Sequence, residues 1–408
     1  MFHASLGLML AGVVYSCPPL ESFISGFGPP RAGVVSGGWG HEIHHGMHFA
    51  VPSYRRVARY GGWPIIDRGE TLYVGDRSSR VVVAREHLVI TEDLPRHALL
   101  VPQPDLFDLQ VAEALRRYQY RHGIRLTGAL DEETVRAMSV PVQERLRVML
   151  LNIERMRWLA SFDLDRSHVL VNVAAFEVWL FEEGRRVESI RAVVGTLRRQ
   201  TPTFSNEIEY LEVNPVWKVP TTIVRARILP RATRDPGWLT RAGFELRGKD
   251  GRVDPLDIDW SKVEESRHLP YRVVQRPGPY NAMGRVKFIF PNERGIYLHD
   301  TPDKDLFERS SRMASFGCVR VERPAALARF LMKGMPEDEM LAVKKMIAGG
   351  GRGKTRRVEL ETPIPVHLTY ITAWVDEKGL LHFRDDVYAR DAKRLEWLDA
   401  ECPGWDGL

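Results

Sequence analysis

The sequence predicts an α+β chain in which a small helical module precedes a mainly-β domain that carries an inserted subdomain. Three observations point there. Leu109 to His122, LQVAEALRRYQYRH, brings Val111, Leu115 and Tyr118 round at three- and four-residue steps, the mark of an amphipathic helix. From Val169 to Phe181, VLVNVAAFEVWLF, the run turns β-rich and meets the turn Glu182 to Gly184, so that Val187 to Val194 reads as the second strand of a hairpin. Between Pro220 and Gly284 the strand pattern is lost, and Arg, Pro, Gly and Trp follow in the irregular order expected of an insertion.

Taken in order, residues 1–45 read as a signal-like segment and a linker. Leu6 to Val14, LGLMLAGVV, is too short to span a bilayer and has the length of a signal-peptide core, although Met1 to Ser5 carry no Lys or Arg. Ser16 supplies the small residue a signal peptidase needs and would leave Cys17 first, as in a lipoprotein. An exported protein is therefore expected, in the periplasm or cell envelope, and a lipidated or membrane-tethered N-terminus is compatible with it. Gly26 to Gly46 is Gly/Pro-rich and reads as linker. Within it, His41-Glu42-Ile43-His44-His45 matches the metalloprotease string, whose chemistry needs both histidines on one helical face. Lying between Gly40 and Gly46 with no apolar helical pattern, it reads as a solvated loop, and no metal is assigned.

Residues 46–158 form the N-terminal region. A short helix is expected at Tyr54 to Tyr60, ended by Gly61-Gly62-Trp63-Pro64. Gly123 closes the helix at Leu109 to His122, Gly128 turns the chain, and Asp131 to Thr134 opens a second helix with acidic residues suited to its dipole. A third runs from about Pro141 to Trp158. Residues 159–408 form the β domain, with an inserted cap at about 221–284. Its further strands are expected at Ile208 to Val213, Val286 to Phe290, Ile296 to His299, Val366 to Trp374 and Leu381 to Phe383, and its helices at Pro324 to Met332 and Glu337 to Met346. Gly349 to Thr355, GGGRGKT, is not a phosphate loop: Ala348 stands where its first glycine belongs, and no strand precedes it. No nucleotide is expected.

Composition narrows the partners. In 408 residues, 58 basic and 53 acidic side chains leave a net charge of +5, too near balance for a nucleic-acid partner. Cys17, Cys318 and Cys402 form no disulfide framework and no metal spacing.

Chemistry concentrates in Tyr297 to Arg320, YLHDTPDKDLFERSSRMASFGCVR. A histidine ending an apolar strand, followed by Ser-x-Gly-Cys-x-Arg, places a base, a thiol and a cation in one supersecondary unit. A thiol is a minor thiolate at neutral pH, and an adjacent imidazole or guanidinium raises that fraction. Gly317 lets the backbone turn so that the amides of Gly317 and Cys318 can face a developing oxyanion.

Two resemblances sharpen this reading. Val111, Ala114, Leu115, Tyr118, Gln119, His122, Gly123, Gly128, Asp131, Thr134 and Ala137 follow the pattern of the peptidoglycan-binding repeat domain, over about residues 105–140. His299-Asp300-Thr301-Pro302, Leu306-Phe307, Arg312 and Ser315-x-Gly317-Cys318-Val319-Arg320 resemble the signature of the YkuD-type L,D-transpeptidases, in their large branch with a peptidoglycan-binding domain and a capping subdomain. Thr201-Pro202-Thr203, Asn214-Pro215-x-Trp217, Asn281-Ala282-x-Gly284-x-Val286-Lys287-Phe288 and Pro365 to Trp374 agree with it.

That resemblance implies a cysteine acyltransferase without a cofactor, acting on peptidoglycan stem peptides, with the glycan strands as a further partner. Cys318 would be the nucleophile, His299 the base, the Asp300 carbonyl its orienting group, and Gly317 with Cys318 the oxyanion donors. Tyr297 and Asn281 would contact substrate, and Arg320 would bind a substrate carboxylate or brace the loop. The acyl group would pass to a second stem, giving a 3-3 cross-link. Water as acceptor would make an L,D-carboxypeptidase, a protein lysine a lipoprotein-anchoring enzyme, and a silent site a cell-wall scaffold. Phe316 stands where the family often has His or Ser, and Ala314 where an aromatic is common, as though the two positions had exchanged bulk. Cys402 is given no role and is expected to lie out of bonding reach of Cys318.

Overall fold

The computed structural model describes residues 39–408 apart from 160, 267–268, 350–353, 403, 406 and 408. The signal-like run, Cys17, most of the Gly/Pro-rich stretch and the centre of the GGGRGKT run lie outside the described residues. The chain divides into two units, Met1–Asp165 with Ile371–Leu408, and Arg166–Tyr370.

Among the described residues before Asp165, the first unit has five α-helices: α1 (Trp39–Arg59), α2 (Ser79–Ile90), α3 (Leu109–His122), α4 (Glu132–Met138) and α5 (Val142–Leu159). Asp108 caps α3 by accepting from the Val111 amide at 2.9 Å, and Gly123 ends it in the left-handed region at φ 66. Asp131 caps α4 in the same way, at 2.8 Å from the Thr134 amide. The buried Gln119 amide ties the intervening turn, donating to Thr127, Ala129 and Thr134 while its oxygen accepts from Gly128. Val81, Leu88, Phe107, Val111, Leu115, Leu130 and Met138 fill the core of this bundle.

Four readings fail in this unit. The segment His41 to His45 is helical and belongs to α1, so the linker reading is wrong at its C-terminal end. Gly40 and Gly46 each disfavour a helix by only about 1 kcal/mol, which a 21-residue element can absorb. Helix α2 was not foreseen, because its apolar residues Val81 to Val83 run together where an amphipathic helix spaces them, and its Arg85 is buried against Asp108 at 2.6 Å. Residues 371–408, expected with the catalytic domain, instead complete this unit. Their strands Ala373–Val375 and Leu381–Phe383 form a hairpin, and Thr372 exchanges hydrogen bonds with Asn152 of α5, its amide donating at 2.9 Å and its hydroxyl accepting at 2.8 Å. Arg155 pairs with Asp391 at 2.6 Å, and Phe383 stacks on His122 at 5.6 Å. Cys402 is disulfide-bonded, so it has a structural role where none was assigned, while Cys318 is free.

The second unit is built on β1 (His168–Asn172), β2 (Glu177–Glu182), β3 (Arg185–Gly195), β4 (Phe204–Val213), β5 (Trp217–Lys218), β6 (Phe244–Gly248), β7 (Gly251–Val253), β8 (Arg272–Gln275), β9 (Val286–Ile289), β10 (Leu298–His299), β11 (Met313–Ser315), β12 (Val319–Val321) and β13 (Arg356–Thr369). Nine of these form a sheet in the order β11-β3-β12-β10-β9-β4-β13-β1-β2, and β2 also pairs with β3, so the sheet closes on itself. The expected strand from Val366 to Trp374 is broken after Thr369, at the boundary between the units.

The inserted segment is more regular than its sequence suggests. β5, β8, β6 and β7 form their own antiparallel sheet. Short helices pack on it around Val224, Leu229, Leu239, Leu246, Trp260 and Val273, a second hydrophobic core. Strands of two to five residues leave too little alternation to be read in sequence.

Candidate active site

Sheet register builds the site. Glu212 on β4 pairs with Lys287 on β9, Lys287 with His299 on β10, and His299 with Arg320 on β12. Directly paired residues project to the same face, so these four side chains form one polar row across four strands. The neighbouring row, Leu211, Phe288, Leu298 and Val319, projects to the other face and is fully buried there. The period of two thus separates core from chemistry.

Cys318 sits at the entrance to β12, where the Val319 amide donates to the Tyr297 carbonyl at 2.9 Å. Cys318 is therefore held beside the strand that carries His299. Its turn needs glycine: Gly317 has φ 114, and a Cβ there would lie 3.1 Å from Ile296 Cδ1. Two hydroxyls brace it. Ser315 Oγ accepts from the Gly317 amide at 3.1 Å and donates to the Cys318 carbonyl at 2.5 Å. Thr201 Oγ1 donates to the Gly317 carbonyl at 2.8 Å and accepts from the Gly195 amide at 2.9 Å. Ser315 and Thr201 were given no role from the sequence. Their only signal was their place in the motif blocks.

His299 is buried, and its Nδ1 lies 2.5 Å from the Asp300 carbonyl oxygen. A carbonyl can only accept, so Nδ1 carries the proton and Nε2 is left as the basic nitrogen. Burial, then the Arg320 guanidinium, hold the imidazole down to about 3, against the pull of the Asp300 hydrogen bond. Burial also raises the Cys318 thiol, opposed by a hydrogen bond from the Tyr297 backbone and by the charges of Lys287 and Arg320. The resting pair is thus a neutral thiol and a neutral imidazole. Cys318 Sγ also points at the Gly295 carbonyl, 3.6 Å away.

The remaining expected residues divide. Asp300 uses its carboxylate elsewhere, accepting from the Arg285 amide at 2.9 Å and pairing with Lys304 at 2.7 Å. Arg320 pairs with Asp303 at 2.9 Å and reaches Thr301 at 3.4 Å. Asn281 departs from expectation. It is buried, its Nδ2 faces the carbonyls of Pro215, Gln275 and Arg276, and its Oδ1 accepts from the Met283 amide. It ties the end of the inserted subdomain and has no donor left for substrate. The Gly317 amide is likewise taken by Ser315, so of the two expected oxyanion donors the Cys318 amide is the one with no backbone acceptor among the described residues. Tyr297 has a lysine on its ring, with Lys287 Nζ 3.7 Å from the centroid. Phe316 and Ala314 have not exchanged bulk, for they face different surroundings. Ala314 packs on Val193, Leu306 and Phe307, whereas Phe316 meets Arg227 of the inserted subdomain, 5.6 Å over its ring.

Comparison with known proteins places this geometry. Residues 166–338 match the family model described as the L,D-transpeptidase catalytic domain, YkuD, and residues 94–138 match that of the "Putative peptidoglycan binding domain". A Haemophilus influenzae protein named "Putative L,D-transpeptidase" is 32% identical over 263 residues, which are 62% of this chain and 50% of the relative. The chain thus spans about half the length of that curated relative. Among solved structures, an L,D-transpeptidase from Stackebrandtia nassauensis is 13% identical with a TM-score of 0.25, covering 78% of this chain and 99% of its own. One from Mycobacterium smegmatis is 12% identical with a TM-score of 0.23, covering 50% and 58%. Superpositions this slight carry no argument. The sequence matches do: the chain carries a catalytic domain of the YkuD L,D-transpeptidase family, preceded by a domain of the peptidoglycan-binding family.

Proposed function

We propose that this chain is an L,D-transpeptidase that joins peptidoglycan stems through a thioester on Cys318. The observation that carries the reading is the His299 tautomer fixed by the Asp300 carbonyl, on the strand next to the Cys318 turn. It leaves Nε2 free to accept a proton, which a general base requires.

The reaction follows from that arrangement. Cys318 Sγ attacks the carbonyl of the L,D bond of a tetrapeptide stem as its proton passes to His299 Nε2. Because both groups are neutral at rest, transfer is coupled to attack. The thiolate and imidazolium formed together stabilise one another, which neither charge could do alone in a buried site. The Cys318 amide holds the oxyanion, a donor typically worth about 10²–10³ in rate. As the intermediate collapses the C–N bond breaks, His299 returns its proton to the leaving amine, and D-alanine departs. The amine of a second stem then attacks the thioester, losing its proton to His299, and the thiol is restored with a 3-3 cross-link formed.

The choice of an amine over water is assigned to the inserted subdomain. Arg227 over Phe316 brings that subdomain to within two residues of the nucleophile, where it can cover the acyl group. Tyr297 is kept as a substrate contact. The N-terminal module holds the enzyme on the glycan strands of the cell envelope, reached by export.

The test is incubation of the full chain with a disaccharide tetrapeptide, followed by mass analysis of products. A cross-linked dimer with one D-alanine lost is expected from the wild type and not from Cys318→Ala. Tripeptide alone would make the enzyme a carboxypeptidase, and no product from either would refute the reading.

A further inference from the structure

The polar row beside the nucleophile contains a lysine to which the mechanism gives no task. Lys287 is largely buried, its side chain 17% exposed. Its carboxylate partner, Glu212, stands at 3.7 Å, near the limit for an ion pair, and is itself only 28% exposed. Instead of closing on that carboxylate, the ammonium lies 3.7 Å from the centroid of the Tyr297 ring. Tyr297 is the residue whose carbonyl fixes the Val319 amide, next to Cys318. A desolvated ammonium over an aromatic ring is favourable but leaves most of its charge uncompensated. Lys287 stands in the row that runs through His299 to Arg320, two residues after Cys318.

We propose that Lys287 is a positioning residue for the nucleophile: its ammonium, held on the Tyr297 ring, favours the thiolate of Cys318, and Glu212 is the opposing charge that limits the effect. The groups facing this cluster come from several elements. They are Glu212 and Tyr210 on β4, Lys218 on β5, Tyr297 and His299 at β10, and Arg320 on β12. Their signs agree with the assignment. Lys287 favours the charged thiol and disfavours a charged imidazole, so it promotes the nucleophile while keeping His299 ready to accept a proton. Cys318 and Glu212 in turn both favour the ammonium, which burial opposes. Replacement by arginine should keep the charge and the ring contact, and replacement by methionine should keep only the stem.

The inference rests on Cys318 being the nucleophile, but its test needs no acyl donor. The full chain is treated with iodoacetamide from pH 6 to 11.5, and carbamidomethylation of the Cys318 peptide is followed by mass. In Lys287→Met the titration midpoint should rise by about one pH unit. Alkylation at neutral pH should then slow about threefold, because the thiolate is tenfold scarcer but more nucleophilic. Lys287→Arg should restore the wild-type midpoint, and Glu212→Gln should lower it. The opposite signs of the two charge removals are the signature, since damage to packing would not produce them. A wild-type midpoint in a folded Lys287→Met overturns the proposal. Should that variant not fold, a midpoint in Glu212→Gln that fails to fall overturns it as well. An absence of cross-linking on stem peptides would leave this titration in place and would refute the proposed function alone.

Discussion

A buried imidazole serves as a base only if its proton sits on the correct nitrogen, and here one main-chain oxygen decides this. Removing the ring by His299→Ala should lower turnover by about 10²–10⁴, measured with saturating tetrapeptide, while leaving Cys318 open to alkylation. Near-normal turnover would remove His299 from the role. The Ser315 hydroxyl has a subtler task, bridging the Gly317 amide and the Cys318 carbonyl. Ser315→Ala should reduce kcat with little change in KM, since it loosens the nucleophile and not the substrate, and a pure KM effect would contradict this. Burial of neutral histidines also fixes a pH dependence. His299 is held down to about 3 and His367, chiefly by burial, to about 4, so between these values and 6.5 the unfolded chain binds more protons than the folded one. Their contribution to stability is whole above pH 6.5 and is lost as pH falls toward 4, at about 1.4 kcal/mol per pH unit for each proton. A melting temperature flat across that window would contradict it. At this scale the sequence was informative about identity and poor about commitment. His299, Cys318 and the Asp300 carbonyl stood out because reactive residue types cluster in one segment. That the amides of Gly317 and Asn281 are already taken depends on contacts with Ser315 and with the carbonyls of Pro215, Gln275 and Arg276, which no spacing reveals.

Elements owe their positions to a few backbone constraints. The inserted subdomain returns to the sheet through Gly284, whose φ is 61 and whose added Cβ would lie 2.4 Å from the Asp300 carboxyl carbon. Gly243, inside the insertion, has φ 77 and nothing within 4 Å. Gly243→Ala should therefore cost only the left-handed backbone penalty of about 1–2 kcal/mol. Gly284→Ala should add to it the displacement of a buried carboxylate, a total of about 3 kcal/mol or more by urea denaturation. Equal losses would show that the close approach to Asp300 is unimportant. Long elements were legible where one face is buried, as in α3. The strands of the insertion and helix α2 were not, the first because they are short and the second because tertiary burial replaces amphipathic spacing.

At the scale of the whole molecule, the chain crosses from one unit to the other and back. Residues 371–408 follow the catalytic unit in sequence, yet supply buried Thr372, Trp374, His382 and Phe383 to the helical unit. Ending the chain at residue 370 should therefore destabilise the helical unit, seen as faster hydrogen exchange in α5, where Asn152 and Arg155 lose Thr372 and Asp391. Exchange unchanged in α5 would contradict this division. The sequence placed the border at 159 and kept the C-terminus with the β domain because it read the tail's strands without knowing their partners; pairing across some 220 residues leaves no local trace. The helical module and the β domain themselves were legible, since each has its own periodicity. What joins all scales is the claim that Cys318 carries the acyl group. Intact-protein mass spectrometry during turnover of a tetrapeptide stem tests it most directly. The account predicts an adduct that adds the mass of the stem less that of one D-alanine, mapped to Cys318 and absent from Cys318→Ala; cross-linked product formed by Cys318→Ala, or an adduct mapped to another residue, would contradict it.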